Sequence, residues 1–291
     1  MSNALAVVGL TDIGKARARN EDSLSLLPEL GAAVVADGMG GHPGGDVASR
    51  IAVETASEVL ASELPSAFSR QDPSGGLRAA IARTVVRAHE AIVARGREQP
   101  ELAGMGTTIT VFAVDRSSDV YAVGHVGDSR AYRFRDGRLT QLTRDDTWVQ
   151  DRIEEEQLTP EQARRHPYGH LLTQCLGLEA APKPHVLGGS VQTGDAYLLC
   201  TDGLVGMLED VRIEEILRSA LAAGGGVGGA PDAAGTQPGA AGTGGAAASP
   251  EPTGASPERA AVEALLAAAN EAGGHDNITA ALIVIRATPE G

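Results

Sequence analysis

The chain is short of the residues on which several functions depend. Only two of its 291 residues are cysteine, Cys175 and Cys200. They form no C-x-x-C pair and no zinc spacing, so they read as reduced thiols in a cytoplasmic protein. Aromatics make up 3% of the sequence, which leaves Val, Ile, Leu and Ala to fill any core. Positive charge is scarce: 24 Lys and Arg face 38 Asp and Glu, a net charge of −14. A surface of that sign argues against a nucleic-acid partner, whose backbone calls for basic residues. No run approaches the ~18 consecutive apolar residues of a membrane span. The opening stretch "MSNALAVVGLTD" lacks the basic region of a signal peptide. The hydrophobic share of 42% is enough for a sizeable core in one large domain or two small ones.

Residues 31–36 and 195–200 are short apolar runs that end at turn signals. Residues 107–114 and 119–126 are rich in β-branched side chains. All four predict strands. "AYRFRDGRLTQLT" (131–143) predicts a hairpin, with Asp136-Gly137 as a type I′ turn. Residues 277–286 predict a last strand. Apolar stripes at i, i+4 spacing predict a helix from Asp46 onward, with Asp46 as its N-cap, and further helices over 75–98, 213–221 and 262–269. Helices segregated from hairpins predict an α+β fold of antiparallel sheets covered by helices. Residues 222–256 are almost entirely Ala, Gly, Pro, Ser and Thr, a composition that predicts a disordered insertion. Residues 144–180 are charged, lack a clean period and hold Trp148, the only tryptophan; they predict a lid or a surface subdomain.

The densest signal is "AVVADGMGGHPGGDVAS" (33–49). An apolar run ends on Asp37, and five glycines and one proline follow within eight positions. No lysine occurs here, which excludes a P-loop, and Pro43 stands where a dinucleotide fingerprint needs its third glycine. Taken alone, the stretch is a tight turn between a strand and a helix. The pattern, however, recurs. "VGHVGDS" places Asp128 at a strand end, "YLLCTDG" does so for Asp202, and "GGHDNIT" sets Asp276 just before a strand. "RARNEDS" adds Glu21 and Asp22. Carboxylates that converge repel one another and raise their pKa values, a conflict that a divalent cation removes. Oxygen-only donors with room for water suit Mg²⁺ or Mn²⁺ rather than structural zinc.

These segments, with "GMGTTIT" (104–110), "VGHVGDSRAYRFRDGRLTQLTRDD" (124–146) and "LTPEQARRHPYGHLLTQCLG" (158–177), resemble the metal-dependent protein phosphatases. The likeness is to the type 2C serine/threonine class in its bacterial form, and it covers nearly the whole chain except 222–256. The resemblance implies a single domain over 1–291: a sandwich of two antiparallel β-sheets flanked by pairs of helices, with a flap subdomain at 144–180. It implies hydrolysis of phosphoserine and phosphothreonine in proteins by a hydroxide bridging two Mn²⁺ or Mg²⁺ ions. Asp37 would bridge the ions, helped by the Gly38 carbonyl. Asp202 and Asp276 would hold the second, and Glu21 would reach a metal through water. Asp128 with Asp202 would form a third, weaker position. Arg17 would grip the substrate phosphate, and Asp22 and Asn277 would line the site. The expected partners are phosphorylated proteins, among them a serine/threonine kinase; the expected state is a monomer.

The family's eukaryotic members carry a histidine directly after the Asp-Gly pair. Here that position is Met39, which leaves nearby His42 as the candidate acid, against a role in loop packing. His125 sits in a strand pattern and reads as core. His275 precedes Asp276 and reads as either second to it or inert. His166 and His170 share i, i+4 spacing, but Pro167 argues against a helix, and they read as flap surface. Two alternatives stand beside the active enzyme: a regulator of one dedicated partner, and a silent scaffold, which should have lost metal acids.

Overall fold

The computed structural model describes residues 4–39, 44–69, 71–223 and 256–287. The predicted insertion at 222–256 therefore lies almost wholly outside the described residues, as do Gly40, Gly41 and His42. The strands are β1 (Ala4–Asp12), β2 (Asp22–Leu27), β3 (Ala32–Asp37), β4 (Ile109–Asp115), β5 (Val120–Val126), β6 (Arg130–Arg135), β7 (Arg138–Gln141), β8 (His185–Ser190), β9 (Ala196–Cys200) and β10 (Ile278–Arg286). The helices are α1 (Gly45–Phe68), α2 (Pro73–Glu98), α3 (Trp148–Glu154), α4 (Pro160–Arg164), α5 (Asp202–Val205), α6 (Asp210–Ala223) and α7 (Pro257–Glu271).

The strands form two five-stranded sheets, ordered β1-β10-β9-β6-β7 and β2-β3-β4-β5-β8. Every pairing is antiparallel. The apolar runs are continuous because central strands are covered on both faces. In β3, Ala33 and Val35 face the other sheet and share the inner core with Phe112 of β4 and with Tyr197, Leu199 and Ile283 of the facing sheet. Val34 and Ala36 face the opposite way, into the core made with α1 and α2. On the far side, α6 and α7 cover β9 and β10 through Ile213, Leu217, Val262 and Leu265. Among the described residues no helix is long and apolar enough to cross a membrane.

The predicted elements recur with one correction at a boundary. Asp46 is not the N-cap of α1; that position is Gly44, whose φ of 89° is left-handed, and Asp46 lies in the first turn. An acidic residue there still complements the positive end of the helix dipole. The turn at Asp136-Gly137 has both residues at positive φ, 52° and 74°, as a type I′ hairpin requires. Strands β1, β2 and β8 carry weak signals. β8 reads "HVLGGS" and is held by five partners of β5 and one histidine pair rather than by strand propensity.

Phe112 is fully buried, with its ring centroid 5.9 Å from that of Tyr121 and 4.7 Å from that of Tyr197. In so aromatic-poor a chain this trio fills the space between the sheets. Phe112→Ala should cost about 3–5 kcal/mol. Urea unfolding followed by tryptophan emission checks it; a loss below about 1 kcal/mol would mean that the inner core repacks.

Candidate metal centre

Antiparallel order decides where the acids go. β3, β5 and β9 end at one edge of the sandwich, and β2 and β10 begin there. Asp37 is the last residue of β3, and Asp22, the first of β2, is its partner in register. Asp128 follows β5, Asp202 follows β9 by two residues, and Asp276 precedes β10 by two. The loop 13–21, which carries Arg17 and Glu21, leaves β1 at the same edge.

Threonines hold these ends in place. The Asp37 amide donates to Thr108 Oγ1 at 3.0 Å, and the Asp37 carbonyl accepts from the Thr108 amide at 2.9 Å and Thr107 Oγ1 at 2.8 Å. Across the sandwich, Thr201 and Thr279 both donate to Asp22 Oδ2, at 2.8 and 2.6 Å. They also pair with each other: Thr279 N donates to Thr201 Oγ1 at 3.0 Å, and Thr201 N to the Thr279 carbonyl at 3.1 Å. This cross-link seats Asp202 beside Asp276. Gly38 N donates to the Glu21 carbonyl at 3.1 Å, and a Cβ on Gly38 would lie 2.3 Å from the Gly45 carbonyl oxygen. Only glycine fits that approach.

Asp276 accepts from Arg17 at 2.6 Å through Oδ2, with the two side chains 43% and 33% exposed. Asn277 is buried, and its amide is a strut. Its Oδ1 accepts from the Glu21 amide at 2.8 Å, and its Nδ2 donates to the Ile13 and Arg19 carbonyls, each at 2.9 Å. It thus shapes the loop that presents Arg17 and Glu21.

Burial and mutual repulsion raise the acids. Burial pushes Asp37 well above the ordinary carboxylate range, and Asp22, Asp202 and Asp128 push the same way. Asp128 is also raised well above it by burial, then by Asp202 and Asp145. Asp202 is raised by burial and by Asp276, and Glu21 chiefly by burial. Asp37 and Asp202 lie within hydrogen-bonding reach of each other, which favours a proton on Asp37. Asp22 is pushed up to about 7 by burial, against the pull of its two threonine donors.

Among the described residues, no three His, Cys, Asp or Glu side chains already close on a common point as a finished cage. Their donor chemistry nevertheless fits a hard divalent cation. All are oxygens, and Asp22 Oδ1 and Asp202 Oδ1 are buried with no hydrogen-bond partner. A carboxylate oxygen in that state is stabilised by a cation.

The histidines divide. His125 is fully buried in hydrogen bonds to Thr110 and the Arg144 carbonyl. His275 is exposed. His166 stacks near Trp148 at 4.9 Å. His170, read from the sequence as flap surface, is 89% exposed but brings Nδ1 to 4.0 Å from Asp202 Oδ2. The sequence reading missed this approach, and it missed Thr107, Thr108, Thr201 and Thr279. A threonine at each end of an apolar run was the available signal.

Without a cation, the raised pKa of Asp22 couples to stability. Between the ordinary 3.8 and about 7 the folded chain binds the proton and the unfolded chain does not. Stability is therefore fully present below that window and falls as pH rises through it. In chelator, the melting temperature should fall from about pH 4 to about pH 7, and Asp22→Asn should flatten the decline. An equally steep fall in the variant would place the titration elsewhere.

Comparison with known proteins agrees with this arrangement. The family described as protein phosphatase 2C matches residues 15–224. The serine/threonine protein phosphatase PstP of Mycobacterium tuberculosis is 40% identical over 211 residues, 72% of this chain; the match spans only 38% of that longer protein. Protein phosphatase PhpP of Streptococcus pneumoniae is 31% identical over 279 residues, covering 94% of this chain and 95% of its own. The crystal structure of the PstP catalytic domain in complex with two manganese ions superposes with a TM-score of 0.73 at 30% identity. It covers 98% of this chain and 100% of its own. With two five-stranded antiparallel sheets, flanking helices and acids gathered at one edge, the chain belongs to the protein phosphatase 2C family.

Proposed function

We propose that the chain hydrolyses phosphoserine and phosphothreonine in proteins with the help of two tightly held Mn²⁺ or Mg²⁺ ions. The observation that carries this reading is the gathering of Asp22, Asp37, Asp128, Asp202 and Asp276 at one edge, with unpartnered buried oxygens on two of them. The manganese complex of the PstP domain supports the choice of ion. Asp37, the Gly38 carbonyl, Asp202 and Asp276 would hold the two ions, with Glu21 acting through water. Asp128 and Asp202 would offer a third, weaker position. When bound, such ions lower the pKa of water toward neutrality and draw charge from the phosphoryl oxygens.

The chain's own residues do the rest. Arg17 keeps guanidinium N–H donors beyond the one given to Asp276, and these orient the phosphate. The Asn277 strut holds Arg17 and Glu21 at a set distance from β10. Positioning and electrostatics of this kind carry most of the catalysis of phosphoryl transfer. The leaving serine or threonine oxygen takes a proton from His42, which lies outside the described residues, or from water. Residues 144–180, with α3 and α4, act as a flap on a single domain. In this reading the enzyme is a cytoplasmic monomer of bacterial signalling that reverses the work of a serine/threonine kinase.

Hydrolysis of an aryl phosphate should vanish in chelator and return with Mn²⁺; full activity in excess chelator after dialysis would sink the proposal. Asp37→Asn should reduce turnover by at least ~100-fold, since one change touches both ion positions. Arg17→Ala should raise KM about tenfold, the loss of one charge-assisted bond, more than it lowers kcat. Calorimetry should find Mn²⁺ affinity undiminished in that variant, because Asp276 loses a competitor. A collapse of affinity would assign Arg17 to the metal rather than to the substrate.

A further inference from the structure

Asp146 is 1% exposed, lies at the start of the segment that becomes the flap, and is assigned no part in the chemistry above. Three separate pieces of chain meet on it. Its amide donates to the Gly127 carbonyl at 2.7 Å, and its Oδ2 accepts from the Gly127 amide at 3.0 Å. Both polar groups of Gly127 are thus taken by one residue. Its carbonyl accepts from the Thr173 amide at 2.8 Å, and its Oδ1 from Gln174 Nε2 at 3.1 Å. The same Oδ1 accepts from His185 Nε2, on β8, at 2.9 Å. Arg144 stands 3.8 Å away.

Gly127 immediately precedes Asp128. Its φ of 107° is left-handed, and a Cβ there would sit 2.6 Å from Thr108 Cγ2. The clasp of Asp146 therefore presses the Asp128 turn onto the threonine that holds the Asp37 amide. The outgoing and returning ends of the flap meet at the same place: Thr147 bridges Leu172, and the Trp148 amide donates to the Leu171 carbonyl at 2.8 Å. Further on, Leu176 exchanges backbone bonds with Thr107, which holds the Asp37 carbonyl.

We propose that Asp146 is a positioning residue that locks the Asp128 turn and the neck of the flap into one unit, so that the flap's placement and Asp128's placement are set together. The proposal rests on the phosphatase reading for its kinetic arm only. An isolated stabilising role would leave the two features independent.

The test is a double-mutant cycle between Asp146→Asn and Asp128→Ala on a phosphopeptide at saturating Mn²⁺, alongside limited trypsin digestion of each protein without added metal. An asparagine accepts through only one of the two oxygens that Gly127 and His185 need. Asp146→Asn should lower turnover about tenfold on its own, and by less than about twofold once Asp128 is alanine, because residues of one network do not add. Cleavage after the exposed Arg164 and Arg165 of the flap should speed up severalfold in both backgrounds. Equal factors in the two backgrounds, or an unchanged cleavage rate, overturn the proposal. If the asparagine variant does not fold, Gln174→Ala, which removes one donor and leaves the carboxyl group, is read in the same way at about threefold. A wild-type protein without metal-dependent activity defeats the phosphatase reading instead, and the cleavage rates then decide the clasp alone.

Discussion

Carboxyl groups resist being crowded out of water, and the edge of this sandwich crowds at least five of them. Asp22, Asp37, Asp128 and Asp202 are raised by burial and then by their neighbours: Asp37 by Asp22, Asp202 and Asp128, and Asp202 by Asp276. Only a scaffold stable in its own right can hold such a set. The two sheets provide it, with cores on three levels, between the sheets and beneath each helix pair. The acids lie at strand ends, outside those cores, where a backbone fixed by ladder bonds sets their position and a nearby cation can relieve the strain between them.

Most of that plan could be read from the residues. Asp37, Asp128 and Asp202 were legible because each follows an apolar run beside glycine, Asp276 because it stands just before one, and the runs themselves because both faces of β3, β4, β9 and β10 are buried. The α1 and α2 stripes were legible from i, i+4 spacing. The strands that escaped are those whose pattern tertiary contacts override. β2 is an aspartate followed by five residues of Ser and Leu, and β8 is a third glycine. The N-terminus of α1 was misread because a sequence with Asp46 in view gives no hint that Gly44 adopts φ 89°.

Within the site, what escaped was the supporting layer. Thr201 and Thr279 look like ordinary strand residues until β9 and β10 are set side by side, when both turn their hydroxyls on Asp22. Asn277 resembled a residue that lines the site; its three side-chain bonds run instead to backbone more than 250 positions away. Such roles depend on pairings between distant segments, and no local spacing encodes them. His170 is the same case in reverse, an exposed residue between α4 and β8 that the fold carries to within 4.0 Å of Asp202.

The pairing of β1 with β10 has a consequence in time. β1 precedes β10 by over 250 residues, and every one of its ladder bonds waits for that strand. Arg17 and Glu21 hang from the loop that Asn277 braces, and Asp276 arrives with it. A growing chain therefore carries Asp37, Asp128 and Asp202 for much of its synthesis with nothing to complete them. Closing so long a loop is slow. The edge that gathers the acids thereby stays incomplete until β10 docks, and a chain that stops short of it lacks Asp276 and the Asn277 brace.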